Sequence, residues 1–455
     1  MRPRDAADGL FSTAQSITGY RRLTPAEEAV WLSDRPGDPR VVALICQLEG
    51  AADVHRMSAA LADISDAQPL LRSRPQAPSA LARHCYWHPS SLVDPELLVV
   101  EHAGETVVAS MLERLRLAVG ALPPALSVGL VRGTPDTPGD VVVLVVHHAV
   151  TDGIGALSLL RQLLTAADRI DPESLCHPSP PSPNHKQPTL QQPLDDLPRR
   201  TRRMPRPPQR IAASVNGNAG SGYGYEWTSI QLDEAARPAT TNDVLMAASV
   251  LAVERWNALH NSSATKLHVR RGSISLNVPV NLRPASERHS GIGNATGLVT
   301  LSLQAGEFAP GQLLARVTKQ SLRAKAAGPS TVALAEQAVS ALGWVPARVR
   351  ALLIGNVGRA VAGWMMPTIT VSNLGPADDA LRSSAGLQPA VRSLHFLTTA
   401  GLPQGVSVTA AKMHGELHLA VSYARELFDA TAAKSFLTLI VDQVQQLTAQ
   451  PDIEQ

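Results

Sequence analysis

The sequence predicts a two-lobed α+β protein, an α/β sandwich, and three observations carry that expectation. Strand-like and helix-like stretches are mixed in both halves of the 455-residue chain. A stretch rich in proline and arginine separates the halves. The first half closes on a buried-type strand, Asp140-Val-Val-Val-Leu-Val-Val146, which runs into His147-His148-Ala149-Val150-Thr151-Asp152-Gly153 and then an amphipathic helix. Mixed elements in two halves, with a polar motif near the end of the first, imply a cleft between the lobes.

In chain order, Val41 to Leu48 reads as a strand, and Val54 to Ile64 as a helix with Met57, Leu61 and Ile64 on one face. Leu126 to Arg132 is a further strand, and 140–146 a fully buried one. After Gly153, Leu157, Leu160 and Leu164 recur at helical spacing. In the second half, Thr240 to Ala248 is a good helix start: short polar residues can cap it, and Asp243 sits near the positive end of the dipole. Val244, Ala248 and Leu251 form its core face. Ile274 to Val280 alternates like a strand, with Pro279 arguing for an edge or a break. Leu298–Leu303, Thr368–Val371 and Val406–Ala411 are further strands. A final helix aligns Phe436, Ile440, Val444 and Leu447.

The proline-rich stretch divides the chain into an N-terminal lobe (1–170), a linker (171–212) and a C-terminal lobe (213–455). The linker ends in six arginines, Arg199, Arg200, Arg202, Arg203, Arg206 and Arg210. Such runs are usually solvated. The alternative is attraction for phosphates of CoA, an acidic carrier protein or an anionic membrane.

Composition narrows the class. With 44% hydrophobic and 18% charged residues the chain reads as soluble and globular. A net charge of +2 and 4% aromatics argue against a nucleic-acid partner. Cys46, Cys85 and Cys176 are odd in number and widely spaced, which suits a reducing compartment rather than a disulfide framework. Residues 1–20 lack a continuous apolar core, and no uncharged apolar run reaches membrane-spanning length. A cytoplasmic location is expected.

The motif carries the chemistry. A histidine at the mouth of a strand, with an aspartate four residues on, can hold a neutral imidazole ready to accept a proton. Neighbouring strand side chains point to opposite faces, so His148 faces substrate and His147 packs behind. Asp152 is expected to organise the turn, and Gly153 to supply backbone freedom. Diverging histidines with no third ligand at a suitable spacing argue against a metal.

HHAVTDG resembles the HHxxxDG signature of the CoA-dependent acyltransferase superfamily. Its members include condensation domains, polyketide-associated acyltransferases and wax ester synthase/diacylglycerol acyltransferases. Further segments resemble the family in the family's order. They are Leu23-Thr-Pro-Ala-Glu-Glu-Ala-Val-Trp31, Thr241-Asn-Asp-Val244, Asn277-Val-Pro-Val-Asn-Leu-Arg-Pro284, Gly293-Asn294 and Val371-Ser-Asn-Leu-Gly375. The resemblance implies two chloramphenicol-acetyltransferase-like lobes in a V with a central tunnel. It implies His148 as general base, and Asp152 paired across the lobes with Arg283 to support the catalytic loop. Ser372 and Asn373 are placed near the oxyanion or in a turn. No bound cofactor is implied; the thioester substrate is acyl-CoA or a phosphopantetheinyl carrier protein.

The expected activity is acyl transfer from that thioester to a hydroxyl or amine, by a free-standing enzyme of secondary metabolism or complex-lipid assembly. One alternative is a wax ester synthase/diacylglycerol acyltransferase using long-chain acyl-CoA. For it, the apolar stretch Gly343 to Ile354 and Trp364-Met-Met366 would rest on a membrane, although a core helix over the tunnel is the favoured reading. Another alternative is a catalytically silent scaffold of the same fold. The chain departs from the wax ester synthases in lacking a tryptophan before the motif, in Pro123 to Arg132.

Overall fold

The computed structural model describes residues 21–34, 38–77, 79–89, 94–101, 104–120, 124–135, 138–165, 207–214, 220–232, 239–260, 272–284, 291–304, 306, 309–327, 339–354, 366–382 and 389–449. It is a mixed α+β fold with three sheets among these residues.

The first large sheet has five strands in the order β12-β2-β7-β6-β5. They are β2 (Val41–Leu48), β5 (Leu97–Val100), β6 (Leu126–Val131), β7 (Val141–His147) and β12 (Val391–Thr398). Its central strands are apolar at nearly every position because both faces are covered. On one face Val42, Leu44, Val142, Leu144 and Val146 pack against α2 (Val54–Ala67) and α4 (Gly153–Thr165). On the other, Val41, Ala43, Val143 and Val145 pack against α3 (Glu105–Gly120).

The second large sheet has the order β10-β9-β11-β13-β14-β8. Its strands are β8 (Tyr223–Gln231), β9 (Ser273–Asn281), β10 (Thr296–Gln304), β11 (Ile369–Pro376), β13 (Val406–Met413) and β14 (Glu416–Ala424). One face is buried by α5 (Thr241–His260), α6 (Pro310–Ala327) and α8 (Ala430–Ala449) in a single core that includes Trp256, Phe428 and Phe436. A small sheet of β1 (Arg21–Arg22), β3 (Ser73–Gln76) and β4 (Tyr86–Pro89) flanks the first lobe beside α1 (Pro25–Leu32). A short α7 (Ala377–Arg382) follows β11.

Several sequence expectations need correction. The second half does not stay in the second lobe: β12 pairs antiparallel with β2, Phe396 opposite Leu44. The linker also ends earlier than residue 212. Gln209 donates to the Ser273 carbonyl, Ala212 to Asn257 Oδ1, and Ile211 and Ala212 are buried in the second core. Arg210 is turned inward too, its guanidinium donating to the carbonyls of Met366 and Pro367 at 3.0 and 2.8 Å. The other five arginines of the run, and Cys176, lie outside the described residues. β9 runs unbroken through Pro279, which pairs with Leu298. β11 pairs with β9 only at Leu276 and Asn277, so position 279 is an edge on that side and tolerates a missing donor.

Gly343 to Ile354 is not a core helix cover. The helix 347–354 turns Ala347 and Arg350 inward, and Arg350 pairs with the buried Glu28. Leu352 stays 67% exposed, and Trp344 just before the helix 71%. Residues 355–365, with Trp364, lie outside the described residues.

Candidate active site

The motif sits where β7 stops. His147 is its last residue, and the register with β2 continues one rung further, because the His148 N–H donates to the Arg40 carbonyl at 2.8 Å. The two adjacent histidines therefore diverge. His147 is fully buried. Its Nδ1 accepts from the Ala149 N–H, so Nε2 carries the proton and donates to Asp34 Oδ2 at 2.7 Å. His148 shares the face of Val42 and Val146. Its Nδ1 is buried, faces its own backbone carbonyl and makes no well-formed hydrogen bond. Burial lowers the His148 pKa below the ordinary 6.5; the nearby Asp152 charge opposes that and loses. The imidazole is neutral near pH 7, with a lone pair available.

Asp152 is a different kind of group. Arg283, at the end of β9, meets it in a fork, Nη1 to Oδ2 at 2.8 Å and Nη2 to Oδ1 at 3.0 Å. The N–H groups of Gly155 and Ala295 and the hydroxyl of Thr296 also donate to this carboxylate. Burial alone would raise its pKa; the Arg283 charge and these donors overcome that and hold it below the usual carboxylate range. Saturated in this way, the carboxylate fastens the motif turn of the first lobe to β9 and β10 of the second. Arg283 Nη2 also donates to the Gly293 carbonyl at 2.7 Å, and Asn294 Nδ2 donates to the His148 carbonyl. The backbone on both sides of His148 is held.

Gly153 plays another part than the expected one. It opens α4 with φ outside the left-handed region, so backbone freedom is not what it supplies. Space is: a Cβ there would lie 2.6 Å from Leu374 Cδ2 and 2.9 Å from Phe396 Cζ. Asn373 Oδ1 accepts from the Gly375 N–H, and Gly375 has φ +76°, which gives Asn373 the turn geometry. Ser372 lies beside Thr409 in the parallel pair of β11 and β13. Among the described residues no hydrogen bond joins Ser372 or Asn373 to His148. Nor does any group of three or more His, Cys, Asp or Glu side chains there suit a metal ion.

Residues 139–266 match the wax ester synthase/diacylglycerol acyltransferase catalytic domain. Solved structures share the fold across nearly the whole chain. A trichothecene 15-O-acetyltransferase from Fusarium sporotrichioides superposes with TM-score 0.63 at 12% identity, covering 94% of each chain. The starter condensation domain of rhizomide synthetase, in complex with C8-CoA and Leu-SNAC, gives 0.60 at 14%, covering 97% of this chain and 96% of that one.

The fold is therefore that of condensation domains and acetyltransferases, and the match to an acyltransferase catalytic domain covers residues 139–266.

Residues 139–266 thus carry an acyltransferase-type catalytic segment within a chloramphenicol-acetyltransferase-like fold. The uncharacterized protein Rv2305 of Mycobacterium tuberculosis is 29% identical over 306 residues, spanning 64% of this chain and 68% of that one.

Sequence reasoning missed Thr296, Ala295 and Asp34, whose roles are created by pairing across elements rather than by local pattern. It also passed over Arg40, although a strand pairing placing His148 beside the start of β2 would have pointed to it.

Proposed function

We propose that His148 is the general base that transfers an acyl group from a CoA or carrier-protein thioester to a hydroxyl or amine. The observation that carries this is a neutral, half-buried imidazole whose backbone is clamped on both sides and whose buried Nδ1 edge is turned to its own main chain. In the proposed step His148 Nε2 takes the acceptor proton as the acceptor oxygen or nitrogen bonds to the thioester carbonyl carbon. The tetrahedral intermediate then collapses, the C–S bond breaks, and the proton passes to the leaving thiolate. Thiol and ester or amide are released, and His148 returns neutral. A positioned base of this kind contributes about 10²–10⁴-fold. Asp152, Arg283, His147 and Gly153 hold the loop without touching substrate.

The test is a panel of acyl-CoAs and carrier-loaded thioesters against alcohols and amines, read by intact mass, with His148→Ala beside the wild type. Product that vanishes in a variant of unchanged circular dichroism supports the assignment; product that survives removes His148 as the base.

Long-chain lipid substrates at a membrane surface form a second reading, favoured by the family match over 139–266 and by an exposed patch. Trp344, Val349, Leu352 and Leu353 stand out from 344–353 together with Leu81, which is 81% exposed. The Ala347 N–H donates to the Ala82 carbonyl, joining the two segments. Arg83 and Arg348 lie in the same segments and are exposed. Peripheral contact is the mode meant, since among the described residues no helix is long and apolar enough to cross a membrane. We read the compartment as cytoplasmic, with an anionic leaflet as the surface. Sedimentation with phosphatidylcholine/phosphatidylglycerol vesicles checks this: Trp344→Ala/Leu352→Ser should release the protein, and equal pelleting of both forms would end the reading.

A further inference from the structure

Arg40 is the residue directly opposite His148. In the antiparallel pair of β2 and β7, Val41 faces His147, and the next rung joins Arg40 to His148 through the His148 N–H. Cross-strand neighbours share a face, with Cβ atoms roughly 4.5–5.5 Å apart. The Arg40 guanidinium lies over Gly401 in the loop after β12. A Cβ at 401 would come within 2.4 Å of Nη2 and 2.9 Å of both Nη1 and Cζ, so the glycine makes room for the cation. The charge reaches His148, whose protonation it disfavours.

Among the described residues no carboxylate answers it. Asp34 gives its Oδ1 to the Arg40 backbone N–H and its Oδ2 to His147. Asp152 is taken by Arg283. Arg40 Nε is buried with no hydrogen-bond partner, and among the described residues no ion pair involves this arginine. Arg283, the cation that reaches the motif from the second lobe, is by contrast matched by Asp152. A half-buried guanidinium left unpaired is costly, and its planar fork fits a carboxylate through two parallel hydrogen bonds.

We propose that Arg40 is the acceptor-recognition residue and binds a carboxylate on the acyl acceptor while that acceptor's hydroxyl or amine lies at His148. This rests on the reading of His148 as the base. In a CoA thioester the pantetheine arm holds the phosphates far from the carbonyl carbon, whereas Arg40 is one strand from His148, so the phosphates are not the anion and the carboxylate is assigned to the acceptor. The acceptor class is therefore a hydroxy acid or amino acid.

The probes are 6-hydroxyhexanoate and its neutral isostere 6-hydroxyhexanamide, titrated calorimetrically into wild type, Arg40→Gln and Arg40→Lys with CoA present, and then assayed with octanoyl-CoA. The wild type should bind the carboxylate roughly tenfold or more tightly than the amide, as charge-assisted hydrogen bonds warrant. Arg40→Gln should collapse that ratio to near one, and Arg40→Lys should restore part of it; circular dichroism checks both folds. In turnover the loss should appear in the KM for the carboxylate probe. Equal wild-type affinity for the two probes, or a ratio that survives in Arg40→Gln, overturns the proposal. The binding arm decides it even if no turnover occurs. Turnover of the amide probe that persists in His148→Ala would overturn the base assignment separately.

Discussion

The two sides of the strand end at 147–148 carry similar residue types and opposite electrostatics. Behind it, His147 has both ring nitrogens engaged, and in the turn that follows, Asp152 accepts from a forked arginine, two backbone N–H groups and a hydroxyl. In front, His148 keeps a lone pair and Arg40 keeps a charge that no described residue answers. The first side is satisfied by folding, and its polar groups hold the fold. The second is where we propose that the substrates meet. Motif membership alone does not separate these roles; hydrogen-bond accounting does.

Substitutions on the two sides should therefore diverge. His148→Ala should cost about 10²–10⁴ in kcat with little change in melting temperature, the loss of a general base. A variant that unfolds instead would erase the contrast. Arg283→Ala should do the reverse, costing about 3–5 kcal/mol in denaturant unfolding because it leaves Asp152 buried and uncompensated. His147→Ala should follow Arg283 in kind at about 1–3 kcal/mol, since Asp34 loses its buried donor. Gly153→Ala belongs to the same side through packing, at about 1–3 kcal/mol for forcing Leu374 and Phe396 apart.

Acidity should distinguish the sides as well. The Asp152 pKa is depressed, so its stabilisation is complete above the unfolded carboxylate pKa of about 3.9 and is lost as pH falls through the folded value. His148 is depressed too, so it stays neutral below 6.5, and the acid limb of kcat/KM should lie under that value. A limb above 6.5 in the wild type would mean that burial does not govern the imidazole. Arg283→Ala should remove the acid sensitivity of unfolding that Asp152 contributes while retaining the limb set by His148.

The apolar run of β2, the run from Val141 to Val146, the α4 stripe of Leu157, Leu160 and Leu164, and the Phe436–Leu447 face were legible because each is local: period and burial reside in neighbouring residues. HHAVTDG was legible for the same reason, and strand alternation alone separated its two histidines. β8, β12 and β14, by contrast, were not found. β12 sits in the first sheet only because β2 offers it an edge more than 340 residues earlier in sequence, and that partner is chosen by tertiary packing.

The sequence by itself determined the α+β class and the position of the motif, because these follow from periodicity and residue chemistry within short windows. Tertiary structure alone decided that Gly153 supplies space rather than flexibility and that the patch around Trp344 faces out. It also decided that Arg210 is tied to backbone carbonyls while no described residue forms an ion pair with Arg40 beside His148. Each of those depends on which distant atoms arrive next to a side chain, and no local pattern encodes that.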